Sequence, residues 1–449
     1  MKGMYKYSEL INELELQIAE DTYREGDKLP SIRELSLRYG CSKSTVIRAL
    51  QDLQDKHLIY AASKSGYYVM KRSGQRKDEG AHWIDFTVSA PDPDIFPYLD
   101  FQHCINKAID MYRNDLFIYG TPQGLPSLIR EMQRHLASYQ VFANPDQIFI
   151  TSGVQQALGV LTRIPFPNGR QRVLIEQPGY PLFMEYLKTY GIETEGIKRS
   201  DAGVDLNELE RLFKTGQFKF FYTVPRFHNP LGVSYTRPQK KAIAQLAAKY
   251  DVYIVEDDYM ADLEQDAKED PIYAYDDASH VIYLKSFSKI IFPGLRVGVA
   301  VLPEVLCDSF NRFKRLMDID SSMLSQAALE LYLKSGMFER HRKKMRSCYE
   351  KRSALLHESI MRELDTATAQ HYSYHPTGQL GVHTYLKLSD SVKTEQMIKR
   401  LQKKFIRIEM ADSGYLPSFN KEKILKLNVS SVKEPDIRSG IEQVMQEIR

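Results

Sequence analysis

From residue 81 onward, short apolar runs alternate with longer stretches of helical periodicity, and this alternation restricts the fold more than any other feature of the chain. Residues 149–151, 172–175, 218–224, 252–255 and 281–284 read as strands. Residues 155–162, 181–190, 206–213 and 237–250 carry helical spacing between them. Strands apolar on both faces need cover on both faces, so the pattern predicts an α/β fold with a mainly parallel sheet wrapped by helices. Ligands of such sheets sit beyond the carboxyl ends of the strands. The residues just after each strand are therefore where chemistry is to be sought.

The most informative of these stretches is Tyr283-Leu-Lys-Ser286-Phe-Ser288-Lys289-Ile-Ile-Phe-Pro293-Gly-Leu-Arg296. Lys289 is an amine that can form an imine with an aldehyde. Arg296 is a cation whose planar fork suits a phosphate, so one phosphorylated aldehyde would engage both. A lone Ser-x-Ser-Lys is usually a surface loop, and it gains meaning only from the other strand ends. Thr151-Ser-Gly153-Val154-Gln155 is a strand–glycine–helix junction whose first amides and dipole suit an anion. Gln177-Pro-Gly-Tyr180-Pro is a tight turn projecting a ring that can stack on a flat heterocycle or simply pack in the core. In Arg226-Phe-His-Asn229-Pro230 the proline is expected to keep Asn229 extended, with its amide free to donate. Glu256-Asp257-Asp258-Tyr259 follows another strand, where an aspartate can keep a pyridine nitrogen protonated and a tyrosine can hydrogen-bond a ring oxygen. Magnesium is the rival ligand for those acids, but no histidine is near in sequence and Lys289 lies downstream, so no metal is expected.

The first 72 residues have a different pattern. Leu10, Ile11, Leu14, Ile18 and Ala19 give residues 7–23 an apolar helical stripe. Ser31 with Glu34 three residues on forms a capping box for a second helix. After Tyr39-Gly40-Cys41, Ser42 opens a third, carrying Lys43, Ser44, Thr45 and Arg48 near its start. Two short helices about a glycine turn make a helix-turn-helix, and polar residues at the start of the second suit a DNA groove. Residues 58–60 and 67–69 read as a hairpin with Lys64 at its tip. LPSIREL, SKSTVIRAL and SGYYV together resemble the winged helix-turn-helix of the GntR family. That resemblance implies that Arg33 and Arg48 read bases of double-stranded operator DNA while Ser42, Lys43, Thr45 and Lys64 hold backbone or groove. The polar run 71–80 reads as a linker. The expected domains are thus 1–72 (winged helix-turn-helix), 73–82 (linker) and 83–449 (effector body).

Taken in order, the anion loop, Tyr180, Asn229, Asp257 with Tyr259, Lys289 and Arg296 resemble the fold-type I aminotransferases, which use pyridoxal 5'-phosphate (PLP). The resemblance implies an internal aldimine at Lys289, Asp257 on the pyridinium nitrogen, Asn229 and Tyr259 on the ring oxygen, and Tyr180 stacked on the ring. Phosphate would be held by the amides of Val154 and Gln155, by Ser286 and Ser288, and by Arg296. Val154 stands where relatives often have serine. Tyr119-Gly-Thr-Pro-Gln-Gly124 is similar to the segment that reaches the partner's site in such dimers, so a homodimer with Tyr119 near the cofactor is expected. One departure is Lys426 in Ile424-Leu-Lys426-Leu-Asn-Val429, where relatives usually have an arginine that clamps the substrate α-carboxylate; lysine cannot offer the same two-pronged grip. Lys426 is the expected effector-carboxylate contact, with Arg407 as the alternative.

A GntR-type head on an aminotransferase-like body is similar to the MocR subfamily of regulators. The expectation is a PLP-dependent DNA-binding transcriptional regulator that senses an amine or amino-acid effector, or PLP itself, through Lys289, with little or no steady turnover. An active aminotransferase with an accessory DNA-binding domain is the alternative. The remaining bounds fit this. A net charge of +3 is too small to imply nucleic-acid binding without a local cluster. Cys41, Cys104, Cys307 and Cys348 form no CxxC pair and suggest a reducing compartment. No apolar run could cross a bilayer, and the start lacks an apolar signal core, so the expected location is the cytoplasm with no membrane partner.

Overall fold

The computed structural model describes residues 2–448 apart from 20–21, 25, 57, 63–64, 71–81, 265, 267–268, 365–370 and 377–380. Two compact units are present, Met1–His82 and Trp83–Arg449. The expected linker falls almost entirely outside the described residues, as does Lys64.

The smaller unit packs helices Lys2–Ala19, Ile32–Tyr39 and Lys43–Asp55 around Leu10, Leu14, Leu35, Val46, Leu50 and Leu53, all fully buried. Burying each such side chain contributes about 1.5–3 kcal/mol. The Ser31 capping box is formed in both directions, with the Glu34 carboxylate accepting from the Ser31 amide at 2.7 Å. Gly40 ends that helix at φ 57°, a left-handed conformation that glycine adopts without a side-chain clash. Ser42 caps the next helix, accepting from the Thr45 amide at 3.1 Å. Strands Ile59–Ala62 and Gly66–Val69 then pair antiparallel, Ile59 opposite Val69, as the wing.

The larger unit is built on an eight-stranded sheet in the order Ile148–Thr151, Gly298–Val301, Val281–Ser286, Tyr253–Asp257, Phe218–Thr223, Arg172–Gln177, Thr194–Ser200, Gly203–Val204. Pairing is parallel from Val281–Ser286 through Thr194–Ser200, and antiparallel where Gly298–Val301 meets its two neighbours and at the Gly203–Val204 edge. The strands read from the sequence are all present, as are the helices between them, Val154–Arg163, Pro181–Thr189, Leu206–Thr215 and Arg237–Tyr250. All six residues of Phe218–Thr223 and of Val281–Ser286 are buried, which is why those runs are mostly apolar without alternation; their two buried amines, Lys219 and Lys285, donate to the Thr162 carbonyl and to Asp262. Along Ile148–Thr151, Ile148 and Ile150 enter the core beneath Tyr98–Tyr112, Pro126–Ala137 and Met323–Lys334, while Phe149 enters the opposite core beneath Val154–Arg163 and Glu304–Asp318. A second, four-stranded antiparallel sheet, ordered Tyr372–Ser373, His383–Leu388, Ile424–Asn428, Glu409–Met410, forms a smaller lobe. The chain joins that lobe early, because Ile84–Asp85 pairs parallel with Ile406–Arg407.

Candidate ligand site and nucleic-acid interface

Six strands of the large sheet, all but Gly298–Val301 and Gly203–Val204, run in one direction, so the residues that follow them lie along one edge. A cavity of about 340 Å³ lies there, lined by Gly153, Val154, Gln155, Tyr180, Asn229, Asp257, Tyr259, Ser286, Ser288, Lys289 and Arg296. Its size is in the range of small-molecule sites. Residues separated by more than a hundred positions thus meet because parallel strands put all their carboxyl ends on the same side.

Asp257 closes the strand Tyr253–Asp257 and is buried. Its Oδ2 accepts from the Tyr222 hydroxyl at 2.8 Å, whereas Oδ1 has no hydrogen-bond partner. Burial pushes its pKa up to about 7, against the Tyr222 hydrogen bond and the charge of Lys289. Across the cavity, burial lowers the Lys289 amine to about 8, with Asp257 opposing. The Lys289 ammonium donates to the carbonyl of Ser89. One cavity thus holds a buried carboxylate with one oxygen unpartnered and a partly desolvated amine, both shifted toward neutrality by burial.

At the opposite end, Gly153 sits at φ +89° before the helix Val154–Arg163, whose first amides have no intrahelical acceptor. Arg296 folds over this glycine and donates to the Ser152 carbonyl at 2.8 Å. A Cβ at position 153 would lie 3.0 Å from Arg296 Nη2, and one at Gly298 would lie 2.9 Å from the carbonyl carbon of Gly153, so both glycines let backbone and guanidinium approach. Ser286 Oγ accepts from the Ser288 amide at 3.2 Å. Guanidinium, hydroxyls and helix amides together form an anion cradle.

The walls are held from behind. Tyr180 precedes the helix Pro181–Thr189, half-buried, and its hydroxyl is raised in pKa first by burial and then by Asp257, with Arg296 opposing. Asn229 lies in a turn and is joined to Pro230 by a cis peptide. Its loop is pinned at the Phe227 carbonyl, which accepts from Tyr259 Oη at 2.9 Å and His383 Nε2 at 2.9 Å. Buried Glu176 anchors the root of that loop, accepting from Thr223 Oγ1 at 2.8 Å, Tyr235 Oη at 2.6 Å and the Val224 amide at 2.8 Å.

Two expected contacts lie elsewhere in the single chain. Tyr119 is 79 % exposed and is not among the residues that line the Lys289 cavity. Lys426 is ion-paired with Glu409 and borders only small clefts beside Asn229 and His383. Arg407 points away, paired with Asp85 at 3.3 Å and lying 4.4 Å from the Trp83 ring centre. Sequence reading missed Tyr222 and Ser89. Tyr222 sits inside a wholly buried strand, and Ser89 contributes only a backbone carbonyl, so neither leaves a motif. No described helix is long and apolar enough to cross a membrane, and among the described residues no cluster of His, Cys, Asp or Glu could hold a metal ion.

In the smaller unit, Arg33, Ser42, Lys43 and Arg48 are exposed and Thr45 is half-buried. The Ser42 hydroxyl is shared with Ser44 and Thr45 hydroxyls at 2.7 and 2.8 Å. Arg48 lies 5.3 Å over the Tyr7 ring, and Tyr7 donates to Asp52 one turn further on.

The fold and the site define a protein with a winged helix-turn-helix head and an aminotransferase-type α/β body. The chain belongs to the aminotransferase class I and II family, matched over residues 82–443, and residues 6–69 match the gntR family of bacterial regulatory proteins. It is 55% identical over 442 residues, covering 98% of this chain and 99% of the other, to the uncharacterized HTH-type transcriptional regulator YcxD of Bacillus subtilis. Aromatic-amino-acid aminotransferase 1 of Thermococcus litoralis is 27% identical over 82% of this chain and 88% of its own. Among solved structures, Pyrococcus horikoshii kynurenine aminotransferase superposes with a TM-score of 0.74 at 27% identity, over 82% of this chain and 91% of that one. Head and body are thus joined in the architecture that the MocR resemblance implied.

Proposed function

We propose that the chain is a cytoplasmic DNA-binding transcription regulator whose body binds PLP at Lys289 and responds to an amine-bearing small molecule or to PLP itself. The observation that carries this reading is that buried Asp257, whose Oδ1 has no hydrogen-bond partner, lines the same cavity as Lys289. A protonated ring nitrogen is the kind of donor that such an oxygen lacks. The rest of the lining fits the same molecule. Arg296, Ser286, Ser288 and the amides of Val154 and Gln155 would hold its phosphate, Tyr180 would cover the ring, and Asn229 and Tyr259 would face the ring oxygen. When bound, PLP supplies an electrophilic carbon that can exchange one amine for another.

The chain's own groups set the conditions for that exchange. Lys289, lowered to about 8, is deprotonated in an appreciable fraction near neutrality and can act as a nucleophile. Asp257, buried, has its carboxyl fixed by the hydrogen bond that it accepts from Tyr222. Glu409 neutralises Lys426, which supports a sensor over an enzyme that clamps α-carboxylates. The 55% identity to a protein named as a regulator favours the same side. An active aminotransferase remains the second reading, favoured by the complete set of cofactor-type residues in one cavity.

Two partners follow. Arg33, Ser42, Lys43, Thr45 and Arg48 would meet operator DNA, with Lys64 of the wing. A second copy of the chain would cover the exposed apolar residues Tyr98, Leu99, Phe117, Ile118, Tyr119 and Leu316. The domain division proposed is the head to residue 72, the linker 73–82 and the body from 83. The deciding experiment incubates full-length protein with PLP, reduces it with borohydride and maps peptides. A pyridoxyl group on Lys289 is expected, and an unmodified Lys289 would overturn the proposal. Steady conversion of an amino donor and a keto acid by the loaded protein would select the enzyme.

A further inference from the structure

The lysine amine of the cavity touches the run of chain by which the body begins. Ser89, whose carbonyl accepts from Lys289, lies six residues after Trp83, where the larger unit starts. That run is fixed at both ends. Phe86, fully buried, donates its amide to the Arg407 carbonyl at 2.9 Å and accepts from the Asn428 amide at 2.9 Å. Asp92, also buried, accepts from Arg352 Nη2 at 2.7 Å. Between these points the buried Ser430 hydroxyl reaches the carbonyls on either side of Ser89, Val88 at 3.2 Å and Ala90 at 2.8 Å. Ser430 is itself held, its amide donating to Asn428 Oδ1 at 2.8 Å and its carbonyl accepting from Arg352 Nη1 at 2.6 Å. The Ser430–Arg352–Asp92 clamp therefore aims the Ser89 carbonyl at the lysine.

We propose that residues 86–92, clamped by Ser430 and Arg352, are the element through which the body reads whether Lys289 is free, and through which that state reaches the chain leading to the head. This rests on the reading of Lys289 as the PLP lysine. A free ammonium donates to the Ser89 carbonyl. On loading, Nζ forms a C=N bond to the aldehyde carbon, the aldehyde oxygen leaves as water, and the nitrogen keeps at most one hydrogen in a plane fixed by the double bond. The Ser89 carbonyl then loses its donor. An incoming primary amine takes over the C=N bond and returns its two hydrogens to Nζ, restoring the donor. The segment thus has one arrangement with the amine free, reached either without cofactor or with cofactor plus amine, and another with the amine bound. A contact made in one state and not the other is what allows a ligand to shift a conformational equilibrium.

The test is amide hydrogen exchange of peptides covering residues 86–92 in the full-length protein, measured ligand-free, loaded with PLP, and loaded then treated with hydroxylamine. Hydroxylamine captures the aldehyde as an oxime and frees the lysine. Exchange is expected to quicken roughly tenfold on loading, about the loss of one charge-assisted hydrogen bond, and to return with hydroxylamine. Lys289→Met is expected to exchange fast throughout and to ignore PLP. Borohydride mapping runs in parallel. If Lys289 is modified yet the segment exchanges equally in all three states, the inference falls and the PLP reading stands. If Lys289 is not modified, both fall. A Lys289→Met segment as slow as the ligand-free parent also overturns the inference.

Discussion

The state of the Lys289 amine before any ligand arrives is the most direct consequence of the cavity's electrostatics. Burial lowers its pKa from 10.5 to about 8, with Asp257 holding it up. At pH 7 an amine of pKa about 8 is neutral about one-tenth of the time, against about 3 in 10,000 for a solvated lysine, a gain of roughly 300-fold in nucleophilic form. Asp257→Asn keeps an acceptor for Tyr222 but removes the opposing charge, so the amine should titrate lower still. Competitive acetylation of the ligand-free full-length protein, followed by peptide mass spectrometry from about pH 5 to about pH 11, reads the Lys289 titration directly. The parent is expected to reach half its plateau reactivity near pH 8 and the variant at a lower pH. A parent midpoint at the ordinary lysine value, or an upward shift in Asp257→Asn, would refute the electrostatic account of the site.

The same aspartate has a stability signature. Its folded pKa of about 7 exceeds the ordinary 3.8, so its contribution is fully present below about pH 4 and is lost as pH rises through 7. Asp257→Asn should therefore raise the ligand-free protein's stability at pH 8, by up to about 4 kcal/mol from the two pKa values, and change it little near pH 4 in thermal melts. Arg296→Lys retains the charge but loses the forked donor set and should weaken PLP retention by about 10- to 100-fold, read by equilibrium dialysis, with PLP uptake equal to the parent's as the contrary result. Arg48→Ala should weaken specific binding to the protein's own promoter DNA by about 1–3 kcal/mol in a titration at fixed salt; unchanged affinity would remove Arg48 from the interface.

Much of this arrangement was legible from the chain alone, for identifiable reasons. The strands 218–223 and 281–286 are buried on both faces, which selects mostly apolar sequence without alternation, Lys219 and Lys285 apart. The capping box at Ser31 and the glycine at 40 are local signals, satisfied within a few residues of themselves, and both recur in the structure. The first helix was read over 7–23 and is found over Lys2–Ala19. The turn in which Asn229 sits, and its cis bond to Pro230, were not foreseen. That loop is held by the Phe227 and His228 carbonyls and by Glu176, all through contacts with distant positions.

By itself the sequence determined the α/β alternation, the winged head and the residue types that end each strand, because each is written in neighbouring positions. It could not determine which partners those residues would meet. That Asp257 leans on Tyr222 with one oxygen left bare, that Lys289 reaches back to Ser89, and that Lys426 is neutralised by Glu409 all arise from contacts between distant positions. Such contacts exist only once strands far apart in the chain lie side by side. The charge state of the site is therefore a property of packing, since desolvation and pairing, which set it, have no meaning until the fold has closed.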